Sequence, residues 1–185
     1  MKSKNNESYT EEVNIPDGVE VSVDNNLINV KGKIGQISRL FRNPQVTLST
    51  KDRKIAFSVK KYTKKEKKML NTIKSHVKNM LYGVNDVYTY KLKICSGHFP
   101  MNVSVSDGKF IIKNFVGEKY PRILELDRDV KVTVNGEEII VEGVDREKVG
   151  LTSGRIEKLT RRPHYDKRVF QQGIFITEKG RRLGW

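Results

Sequence analysis

The chain repeats part of its own sequence, and this duplication restricts its fold more than any other feature. Residues 99–126, FPMNVSVSDGKFIIKNFVGEKYPRILEL, match the earlier stretch IPDGVEVSVDNNLINVKGKIGQISRLF. In this match Ile15 corresponds to Phe99, 84 positions later. Solenoid repeats recur about every 20 to 50 residues, so a repeat of this length instead predicts two tandem domains.

The repeat divides the 185-residue chain into four predicted segments. Residues 1–12 are polar and lack an apolar period, so we predict a flexible N-terminal tail. Residues 13–96 are predicted to form the first repeat, and residues 97–177 the second. Residues 178–185 complete the chain as a basic C-terminal tail. Each repeat has room for only a small hydrophobic core.

Each repeat carries the pattern of two β-hairpins. In the second repeat, Asp107-Gly108 and Asn135-Gly136 separate short alternating apolar runs. Such pairs favour two-residue hairpin turns. In the first repeat, residues 24–26 and 51–54 occupy the corresponding positions. The same supersecondary pattern is therefore predicted twice.

A helix follows the hairpins in each repeat. Between residues 64 and 81, apolar residues recur at spacings of three and four while lysines take the other positions, which is typical of an amphipathic helix. The second helix has a weaker pattern, with Asp145 as its N-cap and Arg161 at its end. Residues 173–177 predict a closing strand. The predicted fold class is α+β, with two tandem duplicated domains, each an antiparallel or mixed sheet packed on one helix.

The net charge predicts a polyanionic partner. The chain has 36 Lys and Arg against 22 Asp and Glu, a formal charge of +14 and a pI near 9.8. Phosphates would relieve this self-repulsion. No apolar run approaches the roughly 18 residues of a membrane span, and the N-terminus lacks the apolar core of a signal peptide. We therefore expect a cytosolic or nuclear protein that does not bind membranes.

The residue types needed for catalysis do not form a recognisable set. Cys95 is the single cysteine, which excludes an intramolecular disulfide and a cysteine-clustered zinc site. His76 has no histidine partner at i+4, and His98 is predicted to be a structural hydrogen-bonding residue. His164 lies in a basic loop, where either contact with RNA or simple exposure fits the sequence. We predict a protein that is not an enzyme and uses no cofactor.

Two segments concentrate the positive charge. The lysines between residues 60 and 68 fit a solvated helix face as well as a binding surface. The last 31 residues are rich in arginine, with Tyr165, Phe170, Phe175 and Trp185 interleaved. Guanidinium groups hold phosphates through paired hydrogen bonds and stack on unpaired bases, so this segment favours structured RNA as its partner.

The candidate RNA-binding residues come from this segment, from the second repeat's loop NFVGEKYPR and from the lysine that precedes that loop. They are Lys113, Asn114, Lys119, Arg122, Arg155, Arg161, Arg162, His164, Lys167, Arg168, Lys179, Arg181 and Arg182. Of these residues, four are predicted to clamp phosphates: Arg161, Arg162, Lys167 and Arg168. The loop residues would face RNA, and the last three would follow its backbone.

Several long motifs resemble those of a known family. The stretches TIKSHVKNMLYGV, YTYKLKICSGHFPMNV, IKNFVGEKYPR and GIFITEKG are similar to universal large-subunit ribosomal protein six, called protein nine in the eukaryotic large subunit. The similarity extends from IPDGVEV to the final EKG. The segment TRRPHYDKRVFQQG and the ending RRLGW depart from the family pattern.

The resemblance implies a two-domain protein without catalytic activity, bound to large-subunit rRNA. It implies a position near the sarcin-ricin loop and the stalk base, where translational GTPases dock, and contacts with neighbouring large-subunit proteins. The second domain and C-terminal segment would make the main rRNA contacts. The expected location is the cytoplasmic ribosome, with nucleolar assembly in a eukaryote.

Two other functions remain open from the sequence. A nucleic-acid-binding regulator outside the ribosome would also use a basic, arginine-rich surface. An enzyme acting on RNA is disfavoured because no metal-ligand or nucleophile-base set is present. The sequence also lacks the aromatic consensus of open-face single-strand RNA readers.

Overall fold

The protein consists of two compact units, Met1–Val87 and Tyr88–Trp185. The structure, a computed structural model, describes residues 9–24, 26–51, 53–61, 63–97, 99–166 and 168–180. Each unit combines antiparallel sheets with one α-helix. The predicted α+β fold with duplicated domains is therefore confirmed.

The first unit contains two three-stranded sheets and a helix. Its elements are β1 (Tyr9–Asn14), β2 (Glu20–Asp24), β3 (Leu27–Lys31), β4 (Gln36–Leu40), β5 (Val46–Lys51), β6 (Lys54–Val59) and α1 (Lys64–Gly83). Strands β2, β3 and β4 pair in that order, and β6 lies between β1 and β5. Helix α1 buries Leu70, Ile73 and Val77 and contacts β6, as its apolar period predicts.

The second unit repeats this arrangement and adds a final strand. Its elements are β7 (Tyr88–Cys95), β8 (Asn102–Ser106), β9 (Lys109–Lys113), β10 (Arg122–Glu125), β11 (Val130–Asn135), β12 (Glu138–Gly143), α2 (Arg146–Leu159) and β13 (Gly173–Glu178). A 3₁₀ turn, Phe115–Gly117, lies between β9 and β10. Strands β8, β9 and β10 form one sheet, and the order of the other is β11, β12, β7, β13.

The boundary between the units lies one strand earlier than the sequence predicts. Strand β7, assigned from sequence to the segment 13–96, pairs with β12 and β13 of the second unit. Its alternate side chains Tyr88, Tyr90 and Leu92 are buried, as expected for a central strand. Each repeat therefore begins with a strand that precedes its first hairpin, because β1 pairs with β6 as β7 pairs with β12.

Strand β1 also corrects the predicted N-terminal tail. Residues 1–8 lie outside the described part of the chain, but Tyr9–Asn14 pairs with β6 along its whole length. Val13 is buried, with 6% of its surface exposed. Glu11 forms an ion pair with Lys74 of α1. The tail prediction is wrong for the last four of its residues because their acidic side chains have partners that local sequence does not reveal.

The ion pair of Glu11 predicts a pH-dependent contribution to the stability of the first unit. A hydrogen bond from Lys74 holds the pKa of Glu11 below the usual range. The Glu11 side chain is only 17% exposed and the Lys74 side chain 28%. Because the folded-state pKa is lowered, this stabilisation is present above the unfolded pKa and is lost as pH falls through the folded pKa. We expect Glu11→Gln to lower the free energy of unfolding by about 1 kcal/mol at neutral pH.

Urea denaturation of both proteins at neutral pH, and at a pH below about 4, tests this prediction. The difference between wild type and variant should shrink at the lower pH. Glu12→Gln is the matched control, since the Glu12 side chain is 54% exposed beside Lys54 and surface pairs contribute little. Equal effects of the two substitutions, or a Glu11 effect that is the same at both pH values, would contradict the assignment.

Helix α2 positions the region that carries most of the candidate residues. It begins at Asp145, whose carboxylate accepts a hydrogen bond from the Glu147 N–H at 2.8 Å, so the predicted N-cap is confirmed. Val149 and Ile156 are fully buried, and the helix contacts β7, β12 and β13. Strand β13 is the predicted closing strand. The chain between α2 and β13 must therefore leave the helix end and return to the sheet over the unit's surface.

Candidate nucleic-acid interface

The connection from α2 to β13 is fastened at both ends by one buried threonine. Thr160 is 5% exposed, and its hydroxyl donates to the Glu157 carbonyl at 3.1 Å. The same oxygen accepts a hydrogen bond from the Ile174 N–H at 2.9 Å. The two ends of the loop 161–172 are thus held together, which limits the positions its basic side chains can take.

Arg161 and Arg162 follow directly after this anchor. Arg161 is exposed, and its backbone N–H donates to the Lys158 carbonyl at 3.1 Å. The guanidinium carbon of Arg162 lies 3.7 Å from the ring centroid of Tyr165, a cation–π contact. The Tyr165 ring in turn meets Phe170 edge-to-face, with centroids 5.2 Å apart. The structure therefore combines arginine and aromatic side chains in one loop.

Arg168 is held by a carboxylate of the same loop. Its guanidinium donates two hydrogen bonds to Asp166 Oδ2, from Nε at 3.1 Å and from Nη2 at 2.8 Å. The Arg168 guanidinium and backbone N–H hold the pKa of Asp166 below its usual range, and Asp166 raises the pKa of Arg168. Both side chains are solvent-exposed, so a phosphate would compete with this carboxylate in water.

Arg122 donates hydrogen bonds to two partners and packs on an aromatic ring. Its Nε donates to Glu118 at 2.8 Å, and its other nitrogens donate to Glu118 and to the Leu159 carbonyl at the end of α2. Its guanidinium carbon lies 4.3 Å from the ring centroid of buried Phe115. Arg122 lowers the pKa of Glu118 through this hydrogen bond and its charge, and the charge of Arg162 adds to the effect.

These contacts bring the loop between β9 and β10 to the end of α2. Lys113, the last residue of β9, and Lys119 in this loop are both exposed. Asn114 has φ 58°, and its side-chain amide donates to the Pro100 carbonyl at 3.0 Å, so it shapes the loop. Glu118 is not among the site residues predicted from the sequence, because no local signal reveals that its carboxylate holds Arg122.

The remaining candidates lie around the same region or outside the described residues. Arg155 is exposed on α2, with Nη1 3.8 Å from Asp127 Oδ2. His164 is exposed with φ 69°, and Lys179 is exposed just after β13. Three further candidates, Lys167, Arg181 and Arg182, lie outside the described residues.

A second group of cations lies in the first unit. It comprises Lys60, Lys61, Lys64, Lys65, Lys67 and Lys68, all exposed at or before the first turns of α1. Glu66 is the acidic residue among them, and the Thr63 hydroxyl donates to its carboxylate rather than capping the helix backbone. This lysine cluster presents exposed ammonium groups at and before the first turns of α1.

Side-chain groups that could hold a metal ion and helices that could span a membrane are both absent from the described part of the chain. Among residues 9–180, with the gaps given above, no group of three or more His, Cys, Asp or Glu side chains could hold a metal ion. Cys95 is a free, half-buried thiol. No helix among the described residues is long and apolar enough to cross a membrane.

Comparison with known families matches both units separately. The sequence model of the family "Ribosomal protein L6" matches residues 15–87 and again residues 99–173. The two matches correspond to the two repeats found in the sequence, so the predicted duplication of one domain in this chain is confirmed.

Similar proteins cover nearly the whole chain. "Large ribosomal subunit protein uL6" of Desulfurococcus amylolyticus is 45% identical over 176 residues, 94% of this chain and 96% of the relative. The protein of the same name from Nanoarchaeum equitans is 43% identical, covering 91% of this chain and 92% of the relative. That of Methanothrix thermoacetophila is 39% identical, covering 94% and 98%. With both repeats matched and relatives of this similarity aligned almost end to end, the chain belongs to the ribosomal protein L6 family.

Proposed function

We propose that this chain is a structural protein of the large ribosomal subunit that binds large-subunit rRNA through its second unit. The observation that carries the proposal is the basic loop between α2 and β13, in a chain that belongs to a ribosomal protein family. Relatives that align with nearly the whole chain are named as large-subunit proteins. A charge of +14 fits a polyanionic partner.

The contacts in the second unit support a mainly positional role for its basic residues. Arg161 and Lys179 are exposed, and phosphate contacts of this kind fix orientation without reading sequence. Arg122 instead holds the β9–β10 loop against α2. Because side chains cannot read the deep major groove of A-form RNA, recognition would rest on backbone shape and on unpaired bases.

The resemblance of the sequence motifs to the family supports a more specific position within the large subunit. The rRNA site would lie near the sarcin-ricin loop and the stalk base, where the protein would support the region in which translational GTPases dock. Its partners would be rRNA and neighbouring large-subunit proteins, in the cytoplasm. The role includes no chemical step and requires no cofactor.

Fractionation of cells that produce the tagged chain tests this proposal. We expect stoichiometric amounts of the protein in large subunits after a high-salt wash, because assembly into the particle adds many contacts to the electrostatic ones. Protein found mainly in ribosome-free fractions would contradict the proposal and favour the non-ribosomal regulator. Retention at low salt followed by complete loss in the wash would also contradict it.

A further inference from the structure

The second unit has a cleft of about 300 Å³ between the last turns of α2 and the loop that follows it. Its lining residues are Gly154, Glu157, Lys158, Thr160, Arg161, Arg162, Tyr165, Phe170, Gln172 and Phe175. The volume lies at the lower end of the range of small-ligand sites, about 300 to 1,000 Å³. The cleft is therefore large enough for one small planar group but too small for a helix.

Aromatic rings form one side of this cleft. Tyr165 and Phe170 meet at an interplanar angle of 88°, yet they remain 46% and 47% exposed. Folding alone therefore leaves about half of the surface of each residue accessible to a ligand. Planar nucleobases stack on exposed aromatic side chains, and every base offers such a face.

The charges around the rings favour a nucleotide over an apolar peptide. Lys158, Arg161 and Arg162 line the cleft, whereas Glu157 is its single acidic residue. One Glu157 oxygen already accepts a hydrogen bond from the Ile176 N–H at 3.3 Å. The cations can therefore neutralise a phosphate at the rim, while the Gln172 carboxamide offers both a donor and an acceptor to a base edge.

The loop is organised before any ligand binds. The Thr160 hydroxyl bonds to the Ile174 N–H at 2.9 Å across the loop's base. Within the loop, the N–H groups of Val169 and Phe170 donate to the Asp166 carbonyl at 3.1 and 2.9 Å. A loop held in this way loses less conformational entropy on binding.

We infer that this cleft receives a single unpaired nucleobase of RNA, which stacks on one of the perpendicular rings of Tyr165 and Phe170 and meets the other edge-on, with its phosphate held by Arg161 and Lys158. The inference rests on the proposed function and adds a specific ligand class to it. A base in this position is unstacked from its own helix, so the ligand is a bulge, loop or end rather than a continuous duplex.

Binding of the purified full-length chain to large-subunit rRNA, measured over a range of salt concentrations, tests the inference. We expect Tyr165→Ala to weaken binding by about 5-fold to 150-fold, the range for loss of one stacked base. The slope of log affinity against log salt should stay unchanged, because no phosphate contact is removed. Tyr165→Phe keeps the ring and should bind like the wild type.

Phe99→Ala is the matched control for a surface aromatic residue. Phe99 is 45% exposed, close to the 46% of Tyr165, and does not line the cleft, so its replacement should leave affinity unchanged. Ultraviolet cross-linking of wild-type protein to rRNA provides a measurement that needs no variant. A cross-linked nucleotide on Tyr165 or Phe170 supports the inference, and cross-links found only elsewhere overturn it.

The outcomes separate this inference from the proposed function. If the wild type binds rRNA and Tyr165→Ala binds equally well, the nucleobase site is wrong and the rRNA-binding function stands. If the wild type does not bind rRNA, both are overturned. Circular dichroism verifies that the variants are folded. If Tyr165→Ala does not fold, the cross-linking result with the wild-type protein decides whether the nucleobase site exists.

Discussion

Replacing four cations of the second unit with alanine is expected to weaken binding to large-subunit rRNA by more than about 100-fold near 0.1 M salt. The four are Arg161, Arg162, Lys167 and Arg168. Hydrogen bonds to charged groups contribute on the order of 1.5 kcal/mol each, so the loss remains large even if Asp166 already engages Arg168 in the free protein.

The salt dependence of binding identifies the cause of this loss. Each phosphate contact contributes about 0.7 to 0.9 to the slope of log affinity against log salt. Four lost contacts should reduce the slope by about 3. Filter binding or fluorescence anisotropy with the full-length protein over a range of salt concentrations measures both affinity and slope.

A matched control removes the same charge from the first unit. Its four residues are Lys60, Lys61, Lys64 and Lys65, which are exposed. If the second unit is the main rRNA contact, this variant should change the slope much less. Equal effects of the two quadruple variants would mean that binding follows net charge alone, and an unchanged slope in the first variant would contradict the phosphate clamp.

Arg122→Ala is expected to lower the free energy of unfolding of the second unit by about 3 kcal/mol. The substitution removes hydrogen bonds to Glu118 and to the Leu159 carbonyl, and the contact with the Phe115 ring. The Arg122 side chain is 25% exposed, so water replaces these contacts only in part. The unpaired carbonyl at the end of α2 adds to the loss.

Hydrogen exchange of the second unit's amides measures this change without assuming that both units unfold together. Arg122→Lys keeps the charge but not the planar fork, and should recover only a small part of the stability. Lys119→Ala is a control in the same loop, and as a change at an exposed position it should alter stability by less than about 0.5 kcal/mol. Unchanged stability with a salt slope reduced by nearly one would instead make Arg122 a direct phosphate contact.

The duplication and the helices were predictable because their signals are local. Turn pairs such as Asp107-Gly108 select hairpins, and both of these residues have the positive φ that such a turn requires, 51° and 70°. The amphipathic period of α1 is continuous over several turns, and Asp145 caps α2 as its residue type suggests. These features depend on neighbours within a few positions.

Strands β1, β4 and β10 were harder to predict because their partners supply most of the information. β4 extends the first hairpin by pairing with β3, and β10 extends its counterpart by pairing with β9. Their segments, QISRL and RILE, are short and half exposed. For β1 a weak signal existed, since Tyr9-Thr10 and Tyr88-Thr89 begin corresponding strands.

The sequence by itself determined the two repeats, the fold class, the helix positions and the basic character of the C-terminal segment, because periodicity, turn chemistry and charge are properties of adjacent residues. Only the tertiary structure decided that β7 belongs to the second unit, that Arg122 holds a loop against α2, and that Tyr165 and Phe170 line a cleft. The first two of these outcomes depend on strand pairing and side-chain contacts between segments far apart in the chain, such as Arg122 with Leu159, and the third depends on how the loop after α2 folds back on the helix. No local pattern encodes such contacts.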